Sequence, residues 1–247
     1  MFDTKDSVEV RGATDVGDIY LRNYMVKVYQ YMTAGLLVSA LFGWIIANVP
    51  AVQQVLFNLV MTEQGNYIDL TFAGWIVTFL PLALIFIINP MLAKGNVKGG
   101  FALFMLFSAA MGLSMANILL VYTATSIARV FTIAAAMFAI TSFYGSVTKK
   151  DLTSWGSFLI MGLIGVIIAA IVNIFMQSPM LYFVYSIIGV VLFVGLAAYD
   201  TQRIKAYYNA YDSTAIMQAK AINGALSLYL DFINLFIFLL NLLGDRK

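Results

Sequence analysis

Ala221-Ile-Asn-Gly-Ala-Leu-Ser-Leu-Tyr-Leu-Asp231-Phe-Ile-Asn-Leu-Phe-Ile-Phe-Leu-Leu-Asn-Leu-Leu243 decides the reading of this chain. The run is long and apolar enough to cross a bilayer, which takes about 20 residues at 1.5 Å each. Yet a carboxylate stands near its middle. An ionised acid at the centre of a bilayer costs roughly 2.5–3.5 kcal/mol on insertion scales, so such a residue normally faces a protein interior or a water path. At 100° per residue Asn223, Ser227, Asp231, Asn234 and Asn241 fall within about 80° of one another. The remaining surface is Leu, Ile and Phe. A helix with one polar seam belongs among other helices, the seam turned toward a pore or cavity. Interhelical hydrogen bonding explains the amides and Ser227 equally well. It does not explain Asp231, because a neutral amide would serve as glue at lower cost.

Outward from this run the chain stays apolar. Of 247 residues 62% are hydrophobic and 11% are charged, against about 25% charged in soluble domains. Six further stretches have spanning length, near 26–47, 69–89, 99–122, 127–147, 153–175 and 179–200. The fold class expected is therefore an all-α polytopic membrane protein with seven transmembrane helices. Residues 1–25 are expected as a polar cytoplasmic tail, too poor in apolar side chains to fold alone, and 26–247 as the transmembrane domain. Trp44, Trp75 and Trp155 fall near span ends, at headgroup depth. Small residues such as Gly112, Gly162, Gly165, Gly189 and Gly195 suit close helix packing.

Basic residues set the expected orientation. Lys5, Arg11, Arg22, Lys27, Lys94, Lys98, Lys149, Lys150, Arg203, Lys205 and Lys220 fall on one side, and only Arg129, Arg246 and Lys247 on the other. The positive-inside rule then puts the N-terminus in the cytoplasm and the C-terminus outside. The basic end Asp245-Arg246-Lys247 is discordant, and would fit better if the seventh span were re-entrant. A formal charge of +2 gives no reason to expect a nucleic-acid partner. With no cysteine and no histidine, thiolate chemistry, the usual zinc ligand and the usual near-neutral proton switch are excluded. No cofactor is expected, and any pH response must come mainly from carboxylates.

The acidic partner expected for Asp231 is Asp200, in Gly195-Leu-Ala-Ala-Tyr-Asp200-Thr-Gln-Arg-Ile-Lys205. Two carboxylates within a few ångströms cannot both ionise cheaply, so such a pair shares a proton. It could close a cation path when protonated, and open or coordinate a cation when ionised; calcium favours such hard oxygens. Two obstacles stand against the pairing. Asp200 ends its span while Asp231 lies about ten residues, hence about 15 Å, inside its own. Asp200 could also be an interfacial acid paired with Arg203 or Lys205.

These two segments, with Thr148-Lys-Lys-Asp-Leu-Thr153 and Val121-Tyr-Thr-Ala124, resemble the Bax inhibitor-1 family (transmembrane Bax-inhibitor-motif proteins), close to its bacterial inner-membrane branch. The resemblance implies six helices wrapped around a central seventh. It also implies a pH-sensitive calcium leak gated by a paired-aspartate sensor, which maps onto Asp200 and Asp231. Some members are thought to latch that pair with a basic residue from the region between the second and third spans. Here that region offers Lys94 and no arginine; Arg203 is the other basic partner. Calcium ions, protons, the bilayer and a membrane-protein partner are the partners implied. Alternatives are a regulator of a membrane protease or other partner, and a proton-coupled carrier. An intramembrane aspartyl protease fits poorly, because Tyr229 and Leu230 stand where that chemistry uses a Gly-x-Gly-Asp motif and close backbone approach.

Overall fold

The computed structural model describes residues 4–62 and 65–247, with side chains for all of these except 4–17, 59–68, 116 and 117. Seven helical segments are long and apolar enough to cross a membrane. They are α1 (Thr4–Asn48), α3 (Phe72–Ala93), α4 (Val97–Ser114) continued by α5 (Ala116–Val121), α6 (Ala124–Val147), α7 (Thr153–Met176), α8 (Pro179–Ala206) and α9 (Thr214–Leu243). The short helix α2 (Pro50–Leu56) and a hairpin of β1 (Phe57–Thr62) and β2 (Gly65–Leu70) join α1 to α3. The expected spans are all present. The antiparallel hairpin, pairing Phe57 with Leu70, was not foreseen.

Local chemistry places the boundaries. Thr71, Asn96, Thr123, Ser178 and Ser213 each cap a helix by accepting a backbone N–H from its first turn, satisfying donors that no helix can satisfy internally. Gly95, at φ 77°, ends α3 in the left-handed region that glycine occupies without strain. The expected 1–25 tail is shorter than read. Helix α1 runs unbroken through it, and Leu21, Tyr24 and Met25 already pack in the core. The acids Asp3, Asp6, Glu9 and Asp15 lie outside the described side chains.

Helix α9 is the axis of the bundle. Of its 30 residues 14 are buried, against 3 of the 24 in α7. It packs against α1, α3, α4, α6 and α8, whereas α7 packs chiefly on α8 at the periphery. Two crossings are backbone on backbone. A Cβ on Gly112 would collide with the Ser39 carbonyl, and one on Gly145 with that of Ala198. This close approach is how helices associate where lipid removes the hydrophobic drive. Gly165 meets nothing within 4 Å and is not such a contact. Large apolar side chains such as Phe86, Phe143, Met161 and Phe175 point outward, as expected for a hydrocarbon-facing surface.

The last four residues fold back over the far end of α9. Asp245 pairs with Arg129 at 2.6 Å, and its backbone accepts from Thr123 N and donates to Ser126 Oγ. Arg246 lies over the Tyr122 ring, and Lys247 Nζ donates to the Leu119 carbonyl. The basic residues that seemed discordant are thus consumed locally. At 30 residues, α9 is about 45 Å long, ample for a complete crossing.

Candidate functional site

The register of α8 against α9 determines where the two acids lie. Ile204 packs over Gly224, Arg203 Nη2 donates to Ser227 Oγ at 3.4 Å, and Phe193 stacks on Phe238 at 5.8 Å. The helices are antiparallel, so the same register sets Asp200 level with Asp231. Asp231 lies within electrostatic reach of both Asp200 and Arg203. The depth mismatch read from sequence disappears for a simple reason. Helix α8 continues through Ala206 instead of stopping at Asp200, and α9 starts at Thr214, not Ala221. The first turns of α9 therefore project beyond α8, where Lys220 binds Asp212 at 2.6 Å and the Tyr207 carbonyl.

Both acids are buried, Asp200 at 8% exposure and Asp231 at 5%. Arg203 Nη2 bridges the site, 3.2 Å from Asp200 Oδ1 and bonded to Ser227, while its guanidinium also lies 5.5 Å from the Tyr199 ring centroid. Two polar atoms of the cluster, Asp231 Oδ2 and Arg203 Nε, are buried without a hydrogen-bond partner among the described residues. Such atoms are rare in folded proteins because each costs about 1–3 kcal/mol. The cluster holds two acids and one fixed cation. Fully ionised it carries a formal charge of −1, and one added proton makes it neutral.

The remaining sequence candidates disperse. Lys94 caps α3 in an exposed position and makes no ion pair with either aspartate among the described residues; Arg203 is the cation the fold brings to the pair. Lys205 Nζ instead binds the Ser146 carbonyl. Asn223 Nδ2 donates to Asn89 Oδ1 of α3 at 2.8 Å, and Asn234 Nδ2 donates to Leu230 of its own helix. Asn241 is half-buried near the far end. Of the rest of the polar seam, then, only Ser227 joins the aspartate cluster among the described residues, and it does so through Arg203 Nη2. No group of three or more acidic, cysteine or histidine side chains gathers among the described residues.

Two hydroxyl chains escaped the sequence reading. Tyr229, fully buried between Phe104 and Phe107, hydrogen-bonds Ser39 Oγ at 2.7 Å, and Ser39 in turn donates to Ser108 O. Tyr29 bonds Ser142 at 2.6 Å, which bonds Thr201 at 2.7 Å, one residue from Asp200. Isolated hydroxyls in apolar runs look alike in sequence; only packing reveals which ones meet.

Fold and site together define a seven-helix integral membrane protein with a buried acidic pair, Asp231 on the central helix and Asp200 on its neighbour α8. The comparisons place it more narrowly. Residues 21–247 match the family described as "Inhibitor of apoptosis-promoting Bax1", and the chain belongs to this Bax inhibitor family. It is similar to inner membrane protein YbhL of Escherichia coli strain K12, 42% identical over 229 residues, covering 92% of this chain and 93% of that protein. The uncharacterized protein RP147 of Rickettsia prowazekii strain Madrid E is 38% identical over the full length of both chains. A Caulobacter vibrioides protein, also uncharacterized, is 40% identical over 93% of this chain and 91% of its own.

Proposed function

We propose that this protein is a calcium-permeable leak of a bacterial inner membrane, gated by protonation of the Asp200–Asp231 pair. The observation that carries the proposal is Asp231 itself. It is a buried acid with an unpartnered oxygen, level with a second acid and beside a single guanidinium. A structural acid would be fully paired, or replaced by an amide. With one proton the cluster is neutral, the carboxyls can bond to each other, and the path is closed. Without it the net negative charge attracts a cation. Calcium takes six to eight oxygens, so two carboxylates make a point of passage rather than a resident site. Arg203 fills the latch role first sought at Lys94.

Calcium flux into proteoliposomes, measured across pH, tests this. Flux is expected to rise with pH, and both Asp200→Asn and Asp231→Asn should remove that dependence. Unaltered flux and pH response in both variants would place the gate elsewhere. Saturable uptake that follows membrane potential would indicate a carrier.

A further inference from the structure

A groove of about 440 Å³ runs along the outer face of α1, lined by Val26, Tyr29, Gln30, Thr33, Ala34 and Leu37. Ala34 forms its floor by being small, while Val26 and Leu37 remain exposed at its ends. The side chains of Gln30 and Thr33 are exposed, and neither makes a hydrogen bond among the described residues. The Tyr29–Ser142 bond ties this side of α1 to α6 and fixes the level of the two helices.

That register has a consequence at the basic end. Arg22 lies seven residues before Tyr29 on α1, about 10 Å beyond the bond, and Lys149 lies in the loop two residues past the end of α6 at Val147, on the same side of the bond. Arg22, Val26, Tyr29, Gln30, Thr33 and Leu37 share one helical sector of about 100°, so Arg22 heads the groove. Lys27 points elsewhere, over the Tyr31 ring at 5.2 Å. Lys149 is exposed, and Lys205 is brought to the last turn of α6 by its bond to Ser146 O. Asp18, one turn further out on α1, makes no ion pair with Arg22 among the described residues. The furrow, with its exposed polar groups, thus runs toward cations contributed by α1 and by the loop after α6.

We infer that this groove is a binding site for an anionic phospholipid. Its phosphate sits between Arg22 and Lys149, and one acyl chain lies along α1 over Ala34. The apolar wall accounts for the chain and the paired cations for the headgroup. A zwitterionic lipid would satisfy only the first, and the cations would repel the like-charged face of a second copy of this protein.

Native mass spectrometry of the full-length protein, delipidated and then exposed to phosphatidylglycerol or phosphatidylcholine in mixed micelles, tests the site. Phosphatidylglycerol should be retained preferentially. Arg22→Gln and Lys149→Gln should each lower its retention about fivefold, the weight of one cation near an anionic surface. Arg22→Lys should restore it, and Ala34→Phe, which fills the floor, should lower retention of both lipids. These residues are at the surface, and an unchanged melting temperature in the same micelles separates lost binding from lost folding. Equal retention of the two lipids overturns the site, as does wild-type retention in both Gln variants. So does displacement by glycerol phosphate as complete as by lipid, which would mean the headgroup alone is held. If Ala34→Phe abolishes a dimer while leaving lipid retention intact, the groove is instead an interface between copies.

Discussion

Of the ionic contacts along α9, the one at its far end and the one at its middle are built in opposite ways. At its far end Arg129 and Asp245 meet at 2.6 Å with side chains 57% and 69% exposed, and neighbouring backbone groups complete the hydrogen bonding. At its middle Asp231 and Asp200 are buried and Arg203 is half-buried, with a carboxylate oxygen and a guanidine nitrogen left without hydrogen-bond partners among the described residues. The first arrangement is what a fold does to fasten a chain end cheaply in water. The second is costly, and nothing in the packing required it. A site that is energetically unfinished in its resting form retains capacity to bind a proton or a cation.

The largest expected effect follows from finishing the unfinished cluster. Asp231→Asn leaves a neutral Asp200–Arg203 pair and removes a buried carboxylate that lacks a partner. We expect the pH dependence of flux to vanish. Stability in detergent should rise by about 1–3 kcal/mol, the scale of an unsatisfied buried group. Fluorescence-detected melting reads the second quantity independently of the first. A fall in melting temperature would mean that Asp231 has a structural partner and that the contrast between the clusters is false.

Arg203→Gln comes next. Among the described residues it removes the one positive charge facing the two acids, so the midpoint of the flux–pH curve should move to higher pH by about 1 unit or more. An unmoved midpoint would mean that Arg203 serves only its contacts with Ser227 and Tyr199. A smaller, purely structural effect is expected at Tyr229→Phe. It loses the hydroxyl bond to Ser39 while keeping the aromatic packing, at about 1 kcal/mol, with the pH midpoint unaltered. Movement of that midpoint would extend the functional cluster toward α1.

The spans, the absence of histidine and the acid in the last run were legible because they depend on composition and length, which the bilayer constrains strongly. The site was only half legible. Asp200 looked like a span end because basic residues follow it. Yet no glycine or proline stops α8 there, and Arg203 and Lys205 suit the last turn of a helix by opposing its dipole. Lys94 lies in the region where the family resemblance sought a latch, but the turn at Gly95 leaves it exposed at the helix end. The hairpin was missed because two six-residue strands between long helices leave little periodic signal. Hydroxyl pairs such as Tyr29 with Ser142 join residues more than a hundred positions apart, which single-sequence periodicity cannot see.

The smallest effect belongs to the finished cluster, and it is the sharpest control. Arg129 and Asp245 are both mostly exposed, and exposed ion pairs contribute about 0.2–1 kcal/mol. Water and salt screen them, so Asp245→Asn should lower stability by no more than that, and the loss should shrink as salt is raised. The backbone bonds from Thr123 and to Ser126 do not involve the carboxylate, so the chain end should stay in place and the pH midpoint of flux should not move. A melting series at low and high salt, run beside the flux assay, measures both. A large, salt-insensitive loss, or a shifted midpoint, would mean that the far end of α9 is coupled to its centre. The two clusters would then be parts of one device rather than a fastening and a gate.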